Sequence, residues 1–482
     1  MIYLDEIITL EGKRNISKTG FDFSGKERFA GVSIDSRNIR KDEIFFAIKG
    51  EKTDGHNYLQ EVARKKVKLA VINDSWLKSN IKSLWKNNRY LKNLSCLAVK
   101  DTIKTLGELA SQHRQRNSVP VLCVGGSNGK TTVKDMIAAV LSNKFSVLKN
   151  DGNFNNHIGL PLTLLKLNEN HSFAVLEAGS NHFNELKYLC EIAMPDCTLV
   201  TNIGKEHLEF FKNLKGVAKE EFELYEHINK NTDGVCLYNL DDKFIRHYYK
   251  KYLSVRKNLP SFTYSYDFDS DVKGKMLGYG KNFEPVFEVK YGKLKFKTFV
   301  NTFGKHSFYN GLAAAATGLF FGVPEKQIKE VLENFKPVSD KRMEVIEFNG
   351  IKIINDTYNS NPDSVKIGLE TLKEYNTNGK KHVILADMLE LGKESRSEHA
   401  AIGKLTAKMG FDFLYTYGGD SYNTFLSAKR MKNNYWFDNR EVLSEFLKNT
   451  CSKGDIIYVK GSRGMEMEEV VRKIINEEYK IK

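Results

Sequence analysis

The sequence has few cysteines, no apolar run long enough to cross a bilayer, and no basic tract interleaved with aromatics. Its six cysteines (96, 123, 190, 197, 236 and 451) are scattered over 482 residues without a C-x-x-C pair. That excludes a disulfide-stapled scaffold and a cysteine metal finger; Cys123 reads as a small core residue. No segment approaches the roughly 20 apolar residues of a membrane helix. The N-terminal stretch MIYLDEIITLEGKR carries acids among its apolar residues and so lacks a signal-peptide h-region. The expectation is a cytoplasmic chain that inserts into no membrane. Lys+Arg 74 against Asp+Glu 60 gives a formal charge of +14, yet the densest basic runs, at 64–66 and 250–251, are short. With no aromatic ladder beside them, nucleic acid is not an expected partner. The charge reads as solvated surface that also attracts anionic nucleotides. Internal repeats and low-complexity segments are absent.

Length and patterning point to an α/β protein of three domains, at 1–117, 118–336 and 337–482. Short β-like runs (44–48, 69–72 and 95–99 in the first; 121–124, 173–176, 198–203 and 235–239 in the second) alternate with helical patterns, which predicts mostly parallel, helix-covered sheets. A hairpin turning at Gly292-Lys293 and an alanine-rich helix at 308–321 close the second domain. The third alternates again (352–354, 383–385, 413–417, 456–459), as a Rossmann-like domain does. Polar stretches at 112–118 and 335–342 read as linkers.

Residues 119–134 read VPVLCVGGSNGKTTVK. A β-rich run breaks at Gly125-Gly126, and beyond Thr132 the apolar residues Val133, Met136, Ile137, Val140 and Leu141 recur at helical spacing. Strand, glycine loop and helix is the context a phosphate loop requires. Backbone N–H groups of Gly126, Ser127, Asn128 and Gly129 would face the phosphates of ATP, helped by the helix N-terminus. Lys130 would reach the β and γ phosphates, and Thr131, followed by Thr132, would offer a hydroxyl to Mg²⁺. Only three residues separate Gly125 from Gly129, one fewer than the usual pattern.

Ligands of open parallel sheets collect beyond the carboxyl ends of strands. Glu177 follows the run 173–176, and His207 lies just past 198–203. With Thr131 they are candidates for holding Mg²⁺, which prefers oxygen ligands; each alone also reads as a satisfied structural residue. Asn153, Asn155 and Asn156 form an amide cluster that reads either as a polar turn or as a substrate-contacting loop.

These residues resemble the Mur ligase family. GGSNGKTT is similar to that family's shortened phosphate loop. The resemblance continues in NFNNHIGLPLTLL, in LEAGSNHFNEL around Glu177, in TNIGKEHLEFF around His207, in FGKHSFYNGLAAAA with His306 and Asn310, and in SDKRM with Arg342. NDTYNSNPDSV, ADMLELG and VKGSRGMEMEEVV carry it through the last third, and DSRNIRKDEIFFAIKGEKTDGH resembles the family's UDP-sugar-binding domain. The resemblance implies an ATP- and Mg²⁺-dependent ligase of peptidoglycan precursor synthesis. Its implied substrates are UDP-N-acetylmuramoyl-tripeptide and D-alanyl-D-alanine, because NDTYNSNP stands where the ligase adding the third peptide residue has a DNPR-type segment. It further implies that ATP phosphorylates the peptide carboxylate and that the dipeptide amine displaces the phosphate. Catalytic roles fall by resemblance to Lys130, Glu177, His207, Glu221 and Arg342, with Thr131, Glu177, His207 and Glu221 at the cation. Asn310, Arg342 and Asp356 go to the nucleotide. Ser36, Arg37, Asp54, Gly55 and His56 go to the UDP-sugar end, Asn153 and Asn156 to substrate, and Tyr358, Asn359 and Asn361 to the region of the dipeptide. A monomer is expected.

One position departs from the family pattern. Members carry a carbamylated lysine about fourteen residues after the metal-binding histidine, and here that count from His207 reaches Glu221, with Lys219 two residues earlier. Glutamate supplies a carboxylate without CO₂ on a shorter stem. The readings are that Glu221 replaces the carbamate, that a helix slip presents Lys219 instead, or that activity is lost.

Overall fold

Short β-branched and aromatic runs between amphipathic helices can bury both faces of their sheets only under helices, and the computed structural model has that organisation. It describes residues 1–3, 16–17, 27–86, 91, 94–230, 234–255, 260–337 and 341–475. Residues 338–340 of the second expected linker, and most of the N-terminal stretch, lie outside them. The chain divides into two compact units, one of residues 1–123, 145–180 and 184–197, the other of 124–144, 181–183 and 198–482. No helix among the described residues is long and apolar enough to cross a membrane, and all six cysteines are buried and outside any disulfide.

The first unit holds a sheet in the order Ile16–Ser17, Ser95–Val99, Leu69–Asn73, Glu43–Phe46, Gly31–Ser33. Its first pair is antiparallel and the rest are parallel. Phe45, Ala70, Ile72 and Cys96 pack beneath Leu59 and Val62 of the helix Leu59–Arg64. The expected linker at 112–118 is corrected here, because the helix Thr102–Arg116 runs through most of it. Asp101 caps that helix by accepting from the N–H groups of Ile103 and Lys104. Its polar last turn is anchored rather than free: His113 Nε2 lies 2.8 Å from the Leu167 carbonyl, and Arg114 donates to the Ala193 carbonyl and to Asp196. Also in this unit, Val147–Lys149 and Phe173–Glu177 pair in parallel.

In the second unit, Thr201 N–H donates to the Gly125 carbonyl, joining Cys197–Val200 to the end of Val121–Gly125. Val235–Asn239, Ser261–Ser265, Val272–Tyr279, Pro285–Tyr291 and Leu294–Phe299 follow outward in that order. The last two form the expected antiparallel hairpin. A second sheet runs Glu344–Phe348, Ile351–Asp356, Ile456–Lys460, Lys381–Ala386, Phe413–Tyr417, Asn434–Phe437. All but its first pair are parallel, so its ligand edge lies where Asp356, Lys460 and Ala386 end their strands.

Candidate active site

Side chains and backbone close in on the loop after Val121–Gly125 at three glycines. A Cβ on Gly125 would lie 2.6 Å from Glu221 Oε2. On Gly126, at φ +111°, it would lie 2.2 Å from Thr201 Oγ1, and on Gly129, at φ +81°, 2.6 Å from Asn310 Oδ1. The segment Thr201 to Gly204 buttresses the loop. Ser127 N–H donates to the Asn202 carbonyl and Asn128 N–H to Asn202 Oδ1, while Thr201 Oγ1 donates to the Asn128 carbonyl and Gly204 N–H to Ser127 Oγ. Gly129 then opens the helix Lys130–Leu141, whose second residue, Thr131, is buried.

Three carboxylates of the second unit bear on this loop and on His207. Glu221 Oε2 accepts the Gly126 N–H at 2.6 Å. Lys130 Nζ lies 3.0 Å from Glu206 Oε2. Glu221 is buried, and burial first, then the Glu206 carboxylate, pushes its carboxyl up to about 8, with Lys130 and the Gly126 N–H opposing. The helix Leu214–Glu221 thus turns Glu221, not Lys219, to the loop; Lys219 is exposed with its Nζ over the Phe183 ring at 5.6 Å. His207, at φ +46°, sets its Nδ1 2.5 Å from Glu390 Oε2. Among the described residues no three His, Cys, Asp or Glu side chains stand gathered as a metal cluster.

Arg342 brings the last third of the chain to the same loop. Its Nη2 donates to Thr131 Oγ1 at 3.2 Å, its guanidinium stacks 3.8 Å over the Tyr358 ring, and its buried Nε has no hydrogen-bond partner. Asn361 caps the helix Pro362–Glu374 and also donates from Nδ2 to Asn128 Oδ1 at 2.9 Å. Asp356 Oδ2 accepts from Lys460 Nζ at 2.7 Å and from the Tyr458 hydroxyl, while Lys460 also donates to the Asn359 carbonyl. Beside this pair, burial pushes the His306 imidazole down to about 4. Glu206, Asn202 and Lys460 were not singled out by motif; the strand-end rule applied to Ile456–Lys460 points to Lys460.

In the first unit, Glu177 ends its strand with Oε1 accepting from Asn155 Nδ2 at 2.7 Å and with Oε2 buried and unpartnered. Asn150 brackets its backbone. Asn155, rather than Asn153 or Asn156, is therefore the amide that touches this carboxylate. Asn156 Oδ1 accepts the N–H groups of Ile158 and Gly159 where the helix Gly159–Leu164 begins, and Asn153 is exposed. Ser36 is buried with its hydroxyl donating to Glu61, whereas Arg37 is exposed and pairs with Asp35, whose carboxyl it holds down at about 2. His56 is buried against the Trp76 ring at 4.7 Å, with both nitrogens engaged: Nδ1 meets Asp54 Oδ1 at 2.6 Å, and Nε2 accepts the Asn73 N–H. Its chemistry is to shape the turn. Gly55 belongs to the same turn, since a Cβ there would lie 2.9 Å from Ile48 N.

Three family descriptions match in order: "Mur ligase family, catalytic domain" over residues 28–114, "Mur ligase middle domain" over 124–318, and "Mur ligase, glutamate ligase domain" over 341–463. The Bacillus subtilis (strain 168) UDP-N-acetylmuramoyl-tripeptide--D-alanyl-D-alanine ligase is 32% identical over 452 residues, covering 92% of this chain and 93% of that protein. A crystal structure of MurF from Acinetobacter baumannii superposes with a TM-score of 0.83 at 25% identity, covering 98% of both chains. MurF ligase from Thermotoga maritima, solved in complex with ADP, shares the fold with a TM-score of 0.78 at 24% identity, covering 92% of this chain and 96% of that one. The chain belongs to the Mur ligase family.

Proposed function

We propose that this chain is an ATP-dependent ligase that joins D-alanyl-D-alanine to UDP-N-acetylmuramoyl-tripeptide in peptidoglycan precursor synthesis. The observation that carries the reading is a relative bearing that name, aligned over 92% of the chain, together with a phosphate loop at its centre. A carboxylate is a poor electrophile. In the proposed reaction a peptide carboxylate oxygen attacks the γ-phosphorus of ATP, ADP leaves, and an acyl phosphate remains. The dipeptide amine then attacks the acyl carbon, loses a proton, and inorganic phosphate leaves. Lys130 and Arg342 are assigned to the charge on the transferring phosphoryl group. Asn310 and Asp356 are assigned to the nucleoside end. Ser36, Arg37 and the turn at 54–56 are assigned to the UDP-sugar, with His56 acting through the turn.

The donor chemistry of the chain suits Mg²⁺, because Glu177 Oε2 is a buried carboxylate oxygen without a hydrogen-bond partner and Mg²⁺ takes oxygen ligands. Within the second unit the candidate donors are Thr131, His207 and Glu221; Glu177 is a candidate within the first unit, taken by itself. When bound, Mg²⁺ neutralises charge on the phosphates. We assign to Glu221 the place of the family's carbamylated lysine, since its carboxylate already faces the phosphate loop. We assign functional domains at 1–117, 118–336 and 337–482 and, from the nucleotide-linked substrate and ATP, a reaction in the cytoplasm. Steady-state ADP turnover that requires both the tripeptide and D-alanyl-D-alanine, and that Lys130→Ala abolishes, tests the reading. Release that ignores either substrate would refute it. Activity that depends strongly on bicarbonate would remove the role given to Glu221.

A further inference from the structure

The ammonium of Lys130 and the carboxylate of Glu206 are paired in side chains only 17% and 9% exposed. The second oxygen of Glu206, Oε1, is buried without a hydrogen-bond partner. Glu221 meanwhile occupies the N–H of Gly126. Two groups that a phosphate loop turns toward a polyphosphate, the lysine ammonium and a loop amide, are thus each taken by a carboxyl oxygen of the chain itself. The packing of the segment does not depend on the Glu206 carboxylate. The backbone N–H of Glu206 donates to the Gly204 carbonyl, and neighbouring Lys205 makes the contacts to Asp363 and Glu398.

We infer that Glu206 is a resident counter-ion of the phosphate-loop lysine, a positioning residue that holds Lys130 in the nucleotide-free protein and couples nucleotide binding to a divalent cation. The inference rests on the phosphate-loop reading above. When phosphate oxygens take Lys130, the Glu206 carboxylate loses its partner while still buried, which is costly. It then faces phosphate charge where water screens poorly. A divalent cation with oxygen ligands offsets both charges. Nucleotide without cation therefore binds poorly, and the charge on Glu206 is a main cause.

The test is calorimetric titration of the full-length protein with ADP in EDTA and with ADP plus excess Mg²⁺, on chains whose melting temperature confirms folding. Wild type is expected to bind metal-free ADP at least about tenfold more weakly than MgADP, about 1.4 kcal/mol. Glu206→Gln, which removes the charge, is expected to tighten metal-free ADP about tenfold and to leave MgADP within about threefold, so that the ratio collapses. Glu206→Asp keeps the charge and is expected to keep the wild-type ratio. Equal affinities in wild type overturn the inference without any variant. So does a Gln variant whose metal-free affinity is unchanged or weaker, and loss of MgADP binding alone would make Glu206 a cation ligand instead. Failure of wild type to bind ADP in either form would refute the nucleotide reading itself, which Lys130→Ala, expected to abolish both, probes separately.

Discussion

Replacing Glu221 with glutamine should stabilise the metal-free protein, and the gain should grow with pH. Glu221 is buried, and its carboxyl is raised from 4.5 to about 8 by burial and by Glu206. Below pH 4.5 the group is protonated in both folded and unfolded chains. Above it the unfolded chain releases its proton while the folded chain keeps it until about pH 8, so the folded state binds more protons and loses stability as pH rises through that window. The whole shift corresponds to about 5 kcal/mol, of which about 3 kcal/mol is expressed by pH 7. Glutamine has no such proton, and its amide oxygen can still accept the Gly126 N–H. Urea unfolding of both proteins in EDTA, at steps from pH 4.5 to 7.5, measures the difference. The expected result is a stability gap that widens by about 3 kcal/mol in favour of Glu221→Gln between pH 4.5 and 7. A gap that stays constant with pH would refute the burial and the Glu206 coupling argued for this carboxylate.

Glu221→Lys should turn a bicarbonate-independent enzyme into one whose activity falls in CO₂-depleted buffer and returns with bicarbonate, read as ADP release. An equal response of wild type and variant would count against the substitution logic. Gly126→Ala drives a Cβ to 2.2 Å from Thr201 Oγ1 and 2.7 Å from Thr201 N at φ +111°. The backbone strain alone costs about 1–2 kcal/mol, and ADP titration should show at least about a tenfold loss of affinity. The buried hydroxyl of Tyr225 donates to the Leu237 carbonyl at 3.0 Å and accepts the Val200 N–H at 3.2 Å. Tyr225→Phe strands both groups and should lower stability by about 1–3 kcal/mol per group in urea unfolding; an unchanged midpoint would contradict that.

The phosphate loop was legible because its chemistry is local: glycine spacing, one lysine and the onset of helical periodicity lie within sixteen residues. The alternation of strands and helices was legible for the same reason. What stayed hidden depends on partners far along the chain. The polar stretch at 112–118 reads as linker until His113 and Arg114 find carbonyls at residues 167 and 193. Strand Glu344–Phe348 is a sheet edge whose charged and apolar residues alternate, so it lacks the apolar run that marks a central strand. Glu206 sits beside the more conspicuous His207, and its pairing with a lysine 76 positions earlier is set by sheet topology. His56 carried a polar label, yet its burial against Trp76 makes it part of the scaffold of its turn.

The most direct measurement is product analysis by mass spectrometry after incubating the protein with ATP, Mg²⁺, UDP-N-acetylmuramoyl-tripeptide and D-alanyl-D-alanine. The account predicts UDP-N-acetylmuramoyl-pentapeptide, with ADP and inorganic phosphate formed one for one with it. ATP consumed without pentapeptide, or a tripeptide left unchanged while another amine is joined, would contradict it.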